Sequence, residues 1–254
     1  SGSSSTQPPA SSPGTKQYSS DVRSGHKSLM SYVSDPVDVV TGAFYIDEID
    51  LVLPGSFPLE IRRNYNSQNP LVGDLGIGWK LSLNPYLIKQ DGKLYAAEAD
   101  GTIIAYSYNQ EASRWEVSPE DNPDLFNFNK NGMGSTANPF HAYIENDVLY
   151  GSDGSKRIFE NGLLKKWINN RGNTLTFSYN GNKLSRIENS NGGFCGFHYN
   201  HEGNISEIYA KDGRRISYSY NFQGDLIKVT LPNTAVISYN YDYSHRIIRE
   251  TKPH

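Results

Sequence analysis

One phrase recurs through the C-terminal part of this chain: a glycine, an aromatic side chain five positions later, and a tyrosine two positions after that. Gly172, Gly192 and Gly213 are followed by Phe177, Phe197 and Tyr218, then by Tyr179, Tyr199 and Tyr220. Gly101 opens an earlier copy with Tyr106 and Tyr108, and Gly154 opens one with Phe159 but with Asn161 in the tyrosine place. A last copy puts Thr234 where the glycine belongs and keeps Tyr239 and Tyr241. The other half of the unit is as regular: Leu184, Ile205, Leu226 and Ile247 stand 21 residues apart, with Ile187, Ile208 and Val229 three places behind. Such periodicity confines the chain to copies of one small unit that cannot bury its apolar face alone.

The unit reads as a β-hairpin. Ile216, Tyr218 and Tyr220 share one face of a strand, and Arg215, Ser217 and Ser219 the other. "NFQGD" turns the chain at Gly224, where positive φ is free of steric cost, and "LIKVT" returns. An isolated two-stranded ribbon is marginal in water, so neighbouring hairpins must pair edge to edge and bury a common aromatic face. The fold class expected is all-β: antiparallel hairpin repeats forming a curved sheet. Only 36% of the 254 residues are hydrophobic, while 18 tyrosines and 10 phenylalanines supply much of the apolar area. Tyr179, Tyr199, Tyr220 and Tyr241 are thus expected to be packing residues.

Upstream, residues 1–34 are rich in Ser, Pro and Gly and read as a flexible lead-in, with an extended arm as the alternative. The opening Ser1-Gly2-Ser3-Ser4, without methionine or an apolar signal core, is expected of a trimmed or engineered piece. Residues 35–100 alternate apolar and polar side chains, with Leu59, Ile61, Arg63 and Tyr65 in one series, and Pro54-Gly55 marks a turn between two antiparallel strands. Asp91-Gly92 and Asp100-Gly101 offer hairpin turns, and Trp79, Leu81 and Leu83 continue the period of two. Residues 101–254 hold the repeats, broken by an irregular insertion near 117–140 that reads as a surface loop.

No constellation of catalytic or metal-binding residues converges. His198 and His201 lie three apart where a strand enters a turn, and lack a third ligand. Asp47, Glu48 and Asp50, near Asp35 and Asp38, read as a solvated strand edge that guards against aggregation. Cys195, the sole cysteine, sits inside a repeat strand as small apolar filler, and it permits neither an intramolecular disulfide nor a cysteine-based zinc site. Arg62-Arg63, Lys165-Lys166 and Arg214-Arg215 read as solvated faces, and Trp79, Trp115 and Trp167 as core rather than a carbohydrate platform. "GDLGIGW" lacks the helix a phosphate loop needs. A net charge of −3 argues against nucleic acid, and no apolar run reaches the ~18 residues of a membrane span. No cofactor or metal is expected.

The units follow G-x6-Y-(D/N)-x3-G-x-L-x-x-V and resemble the YD repeats of Rhs proteins, which have relatives in insecticidal toxin complexes and teneurins. "YNFQGDLIKV" and "YNHEGNISEI" fit well, while "YNYDYSHRII" keeps Tyr-Asp and loses the glycine. "DPVDVVTG", "LPGSFPLEIRRNYNS" and "GDLGIGWKLSL" resemble the conserved domain that precedes those repeats, through Asp35, Pro36, Gly42, Pro54, Gly55, Arg62, Tyr65, Gly76, Gly78 and Trp79. The resemblance spans residues 35–254. It implies the start of a ribbon that spirals into a hollow shell around a C-terminal toxin, often delivered by a secretion system. The implied partners are the rest of the shell, its toxin cargo and a secretion component. The paired Asp-Pro-x-Gly self-cleavage phrases of the family are missing, and no toxin domain follows His254. The expectation is therefore an opening turn of a shell without its cargo. From a different class, a free-standing secreted module binding glycan or protein through the aromatic face or the 117–140 insertion is the alternative.

Overall fold

A computed structural model describes residues 45–67, 72–81, 86–97, 103–123 and 141–253, all of them in strands, turns and short connections apart from isolated helical positions. The lead-in, Asp35, Pro36, Gly42, Leu83, Gly101 and most of the insertion (124–140) lie outside the described residues. The architecture is all-β and antiparallel, as the repeat requires. A small sheet takes the order β1 (Tyr45–Leu53), β2 (Leu59–Asn66), β5 (Trp79–Leu81), and β3 (Val72–Gly73) and β4 (Gly76–Ile77) form a minimal hairpin beside it.

Every later strand belongs to one 16-stranded sheet. Its first part runs in chain order through β6 (Tyr86–Gln90), β7 (Lys93–Ala97), β8 (Ile103–Asn109), β9 (Arg114–Val117), β10 (Tyr143–Glu145), β11 (Val148–Tyr150), β12 (Lys156–Glu160) and β13 (Leu163–Ile168). β13 pairs with β12 along its length and meets β6 through Leu163 and Tyr86, so these pairings return on themselves. On the side of β13 that meets β6, an open ribbon leaves through four hairpins: β14 (Thr174–Asn180) with β15 (Lys183–Asn189), β16 (Phe194–Tyr199) with β17 (Ile205–Ala210), β18 (Arg215–Tyr220) with β19 (Leu226–Thr230), and β20 (Val236–Tyr241) with β21 (Ile247–Thr251).

Local chemistry explains the repeat in three places. Asn200 and Asn221 begin their turns, with the peptide N–H of Gly203 and Gly224 bonded to their carbonyls and their own N–H bonded to the carbonyls of Asn204 and Asp225. That is the three-residue hairpin loop, which needs a left-handed residue before the strand resumes, and Gly203 and Gly224 supply it with φ of 83° and 91°. The Asn side chains accept two further peptide N–H groups, as does Asp242 in the next copy, which is why the motif wants Asn or Asp here. His245 and Thr234 take the left-handed position in copies without glycine.

Next, each return strand carries a bulge just before its partner tyrosine: the register shifts between Ser178 and Tyr179, His198 and Tyr199, Ser219 and Tyr220, and Asn240 and Tyr241. In a regular strand, residues three apart face opposite ways. The extra residue turns Leu184 and Ile187, and their successors Ile205 with Ile208 and Leu226 with Val229, to the same buried face.

Finally, the tyrosine hydroxyls reach across hairpins. Tyr179 donates to the Leu164 carbonyl at 2.6 Å, Tyr199 to Leu184 at 2.7 Å and Tyr220 to Ile205 at 2.7 Å, and Tyr241 bonds Leu226 in the same way. Each acceptor lies 15 residues upstream, on the return strand of the preceding hairpin. Leu184, Ile205, Leu226 and Ile247 are all buried below.

Thr234 is a β-branched residue held at φ 70° where other copies carry glycine. Thr234→Gly should therefore raise stability by about 1 kcal/mol, the cost of a left-handed non-glycine residue less the extra chain entropy glycine loses. Denaturant unfolding checks this; no gain would mean the turn is unstrained.

Candidate functional site

The aromatic face of the ribbon is covered, and the junction that covers it is the most chemically specific place in the molecule. The small sheet lies on the inner face of β16–β21 and its side chains merge into one core with the ribbon's. Alternation places Leu59, Ile61, Arg63 and Tyr65 on the buried face of β2, and all four are buried. β1 has a bulge between Ile49 and Leu51, and the extra residue is Asp50, which is buried as well.

Asp50 and Arg63 form a fully enclosed ion pair, with Arg63 Nε donating to Asp50 Oδ2 at 2.8 Å and side-chain exposures of 1% and 0%. The ribbon adds one bond to each residue. The Tyr218 hydroxyl donates to Asp50 Oδ2 at 2.7 Å, and Arg63 Nη1 donates to the Tyr239 hydroxyl at 2.7 Å. The guanidinium also lies over the Trp79 ring at 4.8 Å and the Tyr239 ring at 5.4 Å. Burial alone would pull the Arg63 pKa down, but Asp50 and the two tyrosines outweigh it and hold it above the ordinary arginine value. The residues read in the sequence as a solvated doublet and a solvated acidic edge are thus corrected: Arg63 and Asp50 are interior, while Arg62 pairs with Asp47 nearer the surface. Asp50 Oδ1 and Arg63 Nη2 find no hydrogen-bond partner there, so the bonds the pair does make carry the cost of enclosing it.

Other contacts pin the same junction. Trp79 Nε1 donates to the Tyr241 hydroxyl at 3.0 Å. The Tyr65 hydroxyl donates to the His245 carbonyl at 3.0 Å and accepts the Ile247 N–H at 3.1 Å. The β3–β4 hairpin meets the ribbon through its backbone: Ile205 N–H donates to the Asp74 carbonyl at 2.7 Å. A Cβ on Gly76 would come within 2.6 Å of the Gly224 carbonyl oxygen, so only glycine fits there. Lys183 bonds buried Asp74 at 2.6 Å and the Gly203 carbonyl at 2.9 Å. Lys252, beside the last strand, pairs with Glu48 of the first.

The sequence-predicted residues distribute clearly. Trp79, Tyr65, Gly76 and Arg62 gather at or around this junction, Gly78 packs against the Tyr65 ring, and Pro54 and Gly55 lie in the β1–β2 connection. Gly172, Gly192 and Gly213 occupy turns with φ of 83°, 85° and 91°. Trp167 meets Phe57 edge-on at 5.7 Å, and Trp115 meets Tyr108 at 5.2 Å. Cys195 is buried, and burial pushes its thiol up to about 12, far from a working thiolate. His198 is exposed and stacks on Tyr209 at 4.9 Å. Among the described residues, no group of three His, Cys, Asp or Glu side chains is placed to hold a metal.

Sequence reasoning missed Asp50, Arg63 and the hydroxyls that meet them. One signal pointed there: in the four ribbon hairpins the position two before the repeat tyrosine is Phe177, Phe197, Tyr218 and Tyr239, so within the ribbon a hydroxyl appears only in the last two.

Arg63→Met should cost about 3–5 kcal/mol, because it strands Asp50 in the interior; a loss under 1 kcal/mol in denaturant melts would show the pair is not isolated from water. A pH dependence follows from the tyrosines. Burial raises Tyr179, Tyr199, Tyr218, Tyr220, Tyr239 and Tyr241 above the ordinary value of 10.0. Tyr65 is pushed up to about 12. Groups with raised folded pKa values contribute stability that is intact below pH 10 and lost as pH climbs through the folded values. Phenolate absorbance and circular dichroism should therefore change together, starting above pH 10; phenolate formation by these residues without unfolding would contradict it.

Comparison with known proteins matches two regions of the chain to family models. Residues 34–106 match a family model described as a domain of unknown function, DUF6531, and residues 159–253 match one described as Teneurin YD-shell. Double-stranded DNA deaminase toxin A of Burkholderia cenocepacia (strain H111) is 34% identical over 79 residues, 30% of this chain and 6% of that protein. Among solved structures, TcdB2-TccC3 without its hypervariable C-terminal region is similar at 12% identity over 77% of this chain and 11% of that one, with a TM-score of 0.29. The chain spans only a small part of either relative. The chain thus carries a region at 159–253 that matches the Teneurin YD-shell model, behind a region at 34–106 that matches the DUF6531 model.

Proposed function

We propose that this chain is the opening part of an Rhs-type shell that encloses a toxin domain carried elsewhere in a longer protein and aids its delivery. The observation that carries the reading is the hydroxyl-to-carbonyl stitch repeated in four successive hairpins. It makes each hairpin the template for the next. β21 pairs only with β20 among the described residues, and the Ile247 carbonyl stands where Leu226 does in the copy before. An unpaired strand edge favours continuation by another strand. In this reading residues 35–100 start the shell, residues 101–254 begin its wall, and residues 1–34 are a Ser/Pro-rich lead-in. The repeat tyrosines and glycines serve the wall, and Asp35, Pro36 and Gly42 serve the start. The remainder of the shell, the cargo and a secretion component are the partners. The chain has no catalysis of its own, in keeping with a protonated Cys195 and an outward-stacked His198.

The aromatic face offered to a glycan in the alternative reading is occupied by the small sheet, since Tyr218 and Tyr239 are buried under it. Immunoblotting of the natural gene product in its own cells tests the proposal. A product far above 28.4 kDa, with a C-terminal fragment protected from protease until the wall is denatured, is expected. A product near 28.4 kDa would replace the shell with a self-standing module.

A further inference from the structure

A sheet built of equivalent hairpins poses a register problem to anything that docks on it. The apolar residues facing the small sheet recur every 21 positions in kind and size: Leu184, Ile205, Leu226, Ile247, and Ile187, Ile208, Val229. Backbone acceptors recur too, because the turn carbonyls at Gly203 and Gly224 are equivalent. A sheet docked by these contacts alone would fit nearly as well one repeat back, a shift of two strand spacings, or roughly 9–10 Å.

We propose that the Asp50–Arg63 pair is a key that selects the hairpins on which the small sheet seats. The ribbon carries hydroxyls to match it in only two places, Tyr218 and Tyr239, and both are used. One repeat back, Asp50 would face Phe197 and Arg63 would face Tyr218. Two repeats back, both would face phenylalanine, at 177 and 197. Each step removes a hydrogen bond from a charge that has no water to replace it, and unpaired buried polar groups are strongly disfavoured. The pair therefore adds specificity where apolar packing is degenerate, the role best attested for buried polar groups in repetitive interfaces. Lys183 with Asp74 and Lys252 with Glu48 reinforce the same seating nearer the surface.

The test moves the key and watches the sheet. In a Cys195→Ala background, Glu48→Cys with Lys252→Cys reports the observed seating, because these side chains are in contact. Glu48→Cys with Leu231→Cys reports seating one repeat back, since 231 is 21 residues before 252. A short bismaleimide should link only the first pair in the otherwise unaltered chain. Phe197→Tyr with Tyr239→Phe relocates the matching hydroxyls to 197 and 218, and should shift the ratio of products toward the 48–231 link by roughly tenfold or more, the effect of one buried hydrogen bond. Tyr218→Phe with Tyr239→Phe erases the ribbon's half of the key and should yield both links. The 48–252 link alone in both variants would overturn the proposal and assign the register to the short connection between Leu81 and Tyr86.

Discussion

The hydroxyl of the repeat tyrosine is the interaction on which the rest of this structure depends. A hairpin alone is marginal in water, and a sheet of hairpins needs something that favours each addition. Tyrosine supplies both requirements from one side chain, because its ring adds to the buried face and its hydroxyl must find an acceptor there. The acceptor is always the carbonyl 15 residues upstream, on the preceding hairpin. The bulge beside each tyrosine belongs to the same device: it turns the return strand's apolar residues onto the face where the ring lies. Ring, hydroxyl and bulge recur together in the four ribbon hairpins, while the β12–β13 hairpin has the bulge beside Phe159 and no hydroxyl.

A face assembled this way cannot be left in water. Extended apolar patches on a soluble protein are sites of association, and here the small sheet meets that need within the chain. Its seating is more polar than coverage requires. Apolar residues in place of Asp50 and Arg63 would serve burial equally well, since buried ion pairs rarely exceed a hydrophobic replacement in stability. What the pair adds is discrimination among hairpins that look alike, and the two tyrosines at 218 and 239 break their symmetry, as does Gly193 under Leu53, where other copies carry Asn173, Arg214 and Ala235. The outward turn tips differ in kind: Phe222 and Tyr243 are 97% and 100% exposed, at equivalent places in successive hairpins.

Much of this was legible in the amino-acid order. Periodicity identified hairpins, the face of each aromatic, and the turns, because a spacing of two and a glycine with positive φ are local properties of the backbone. Alternation also placed Arg63 in one series with Leu59, Ile61 and Tyr65, so its burial was implied by the same pattern that was read for its neighbours. Charge argued the other way, since an arginine is buried only when a partner removes the cost. That partner was hidden. Asp50 keeps the parity of Ile46 and Glu48, but the bulge also turns Leu51 and Leu53 to that face, so no single period of two covers β1 and marks its carboxylate as interior.

The sequence by itself determined the unit: a hairpin with an aromatic face, a left-handed turn and an edge ready to pair, all written within 21 residues. The tertiary structure alone decided how units relate to what lies 160 or more residues away, as Tyr218 does to Asp50 and Tyr239 to Arg63. Hydrogen bonds of that range leave no period in the chain. They depend on how a bulge sets one carboxylate among the leucines that follow it and on which of several similar hairpins a second sheet comes to rest, and both are settled only when the interior excludes water.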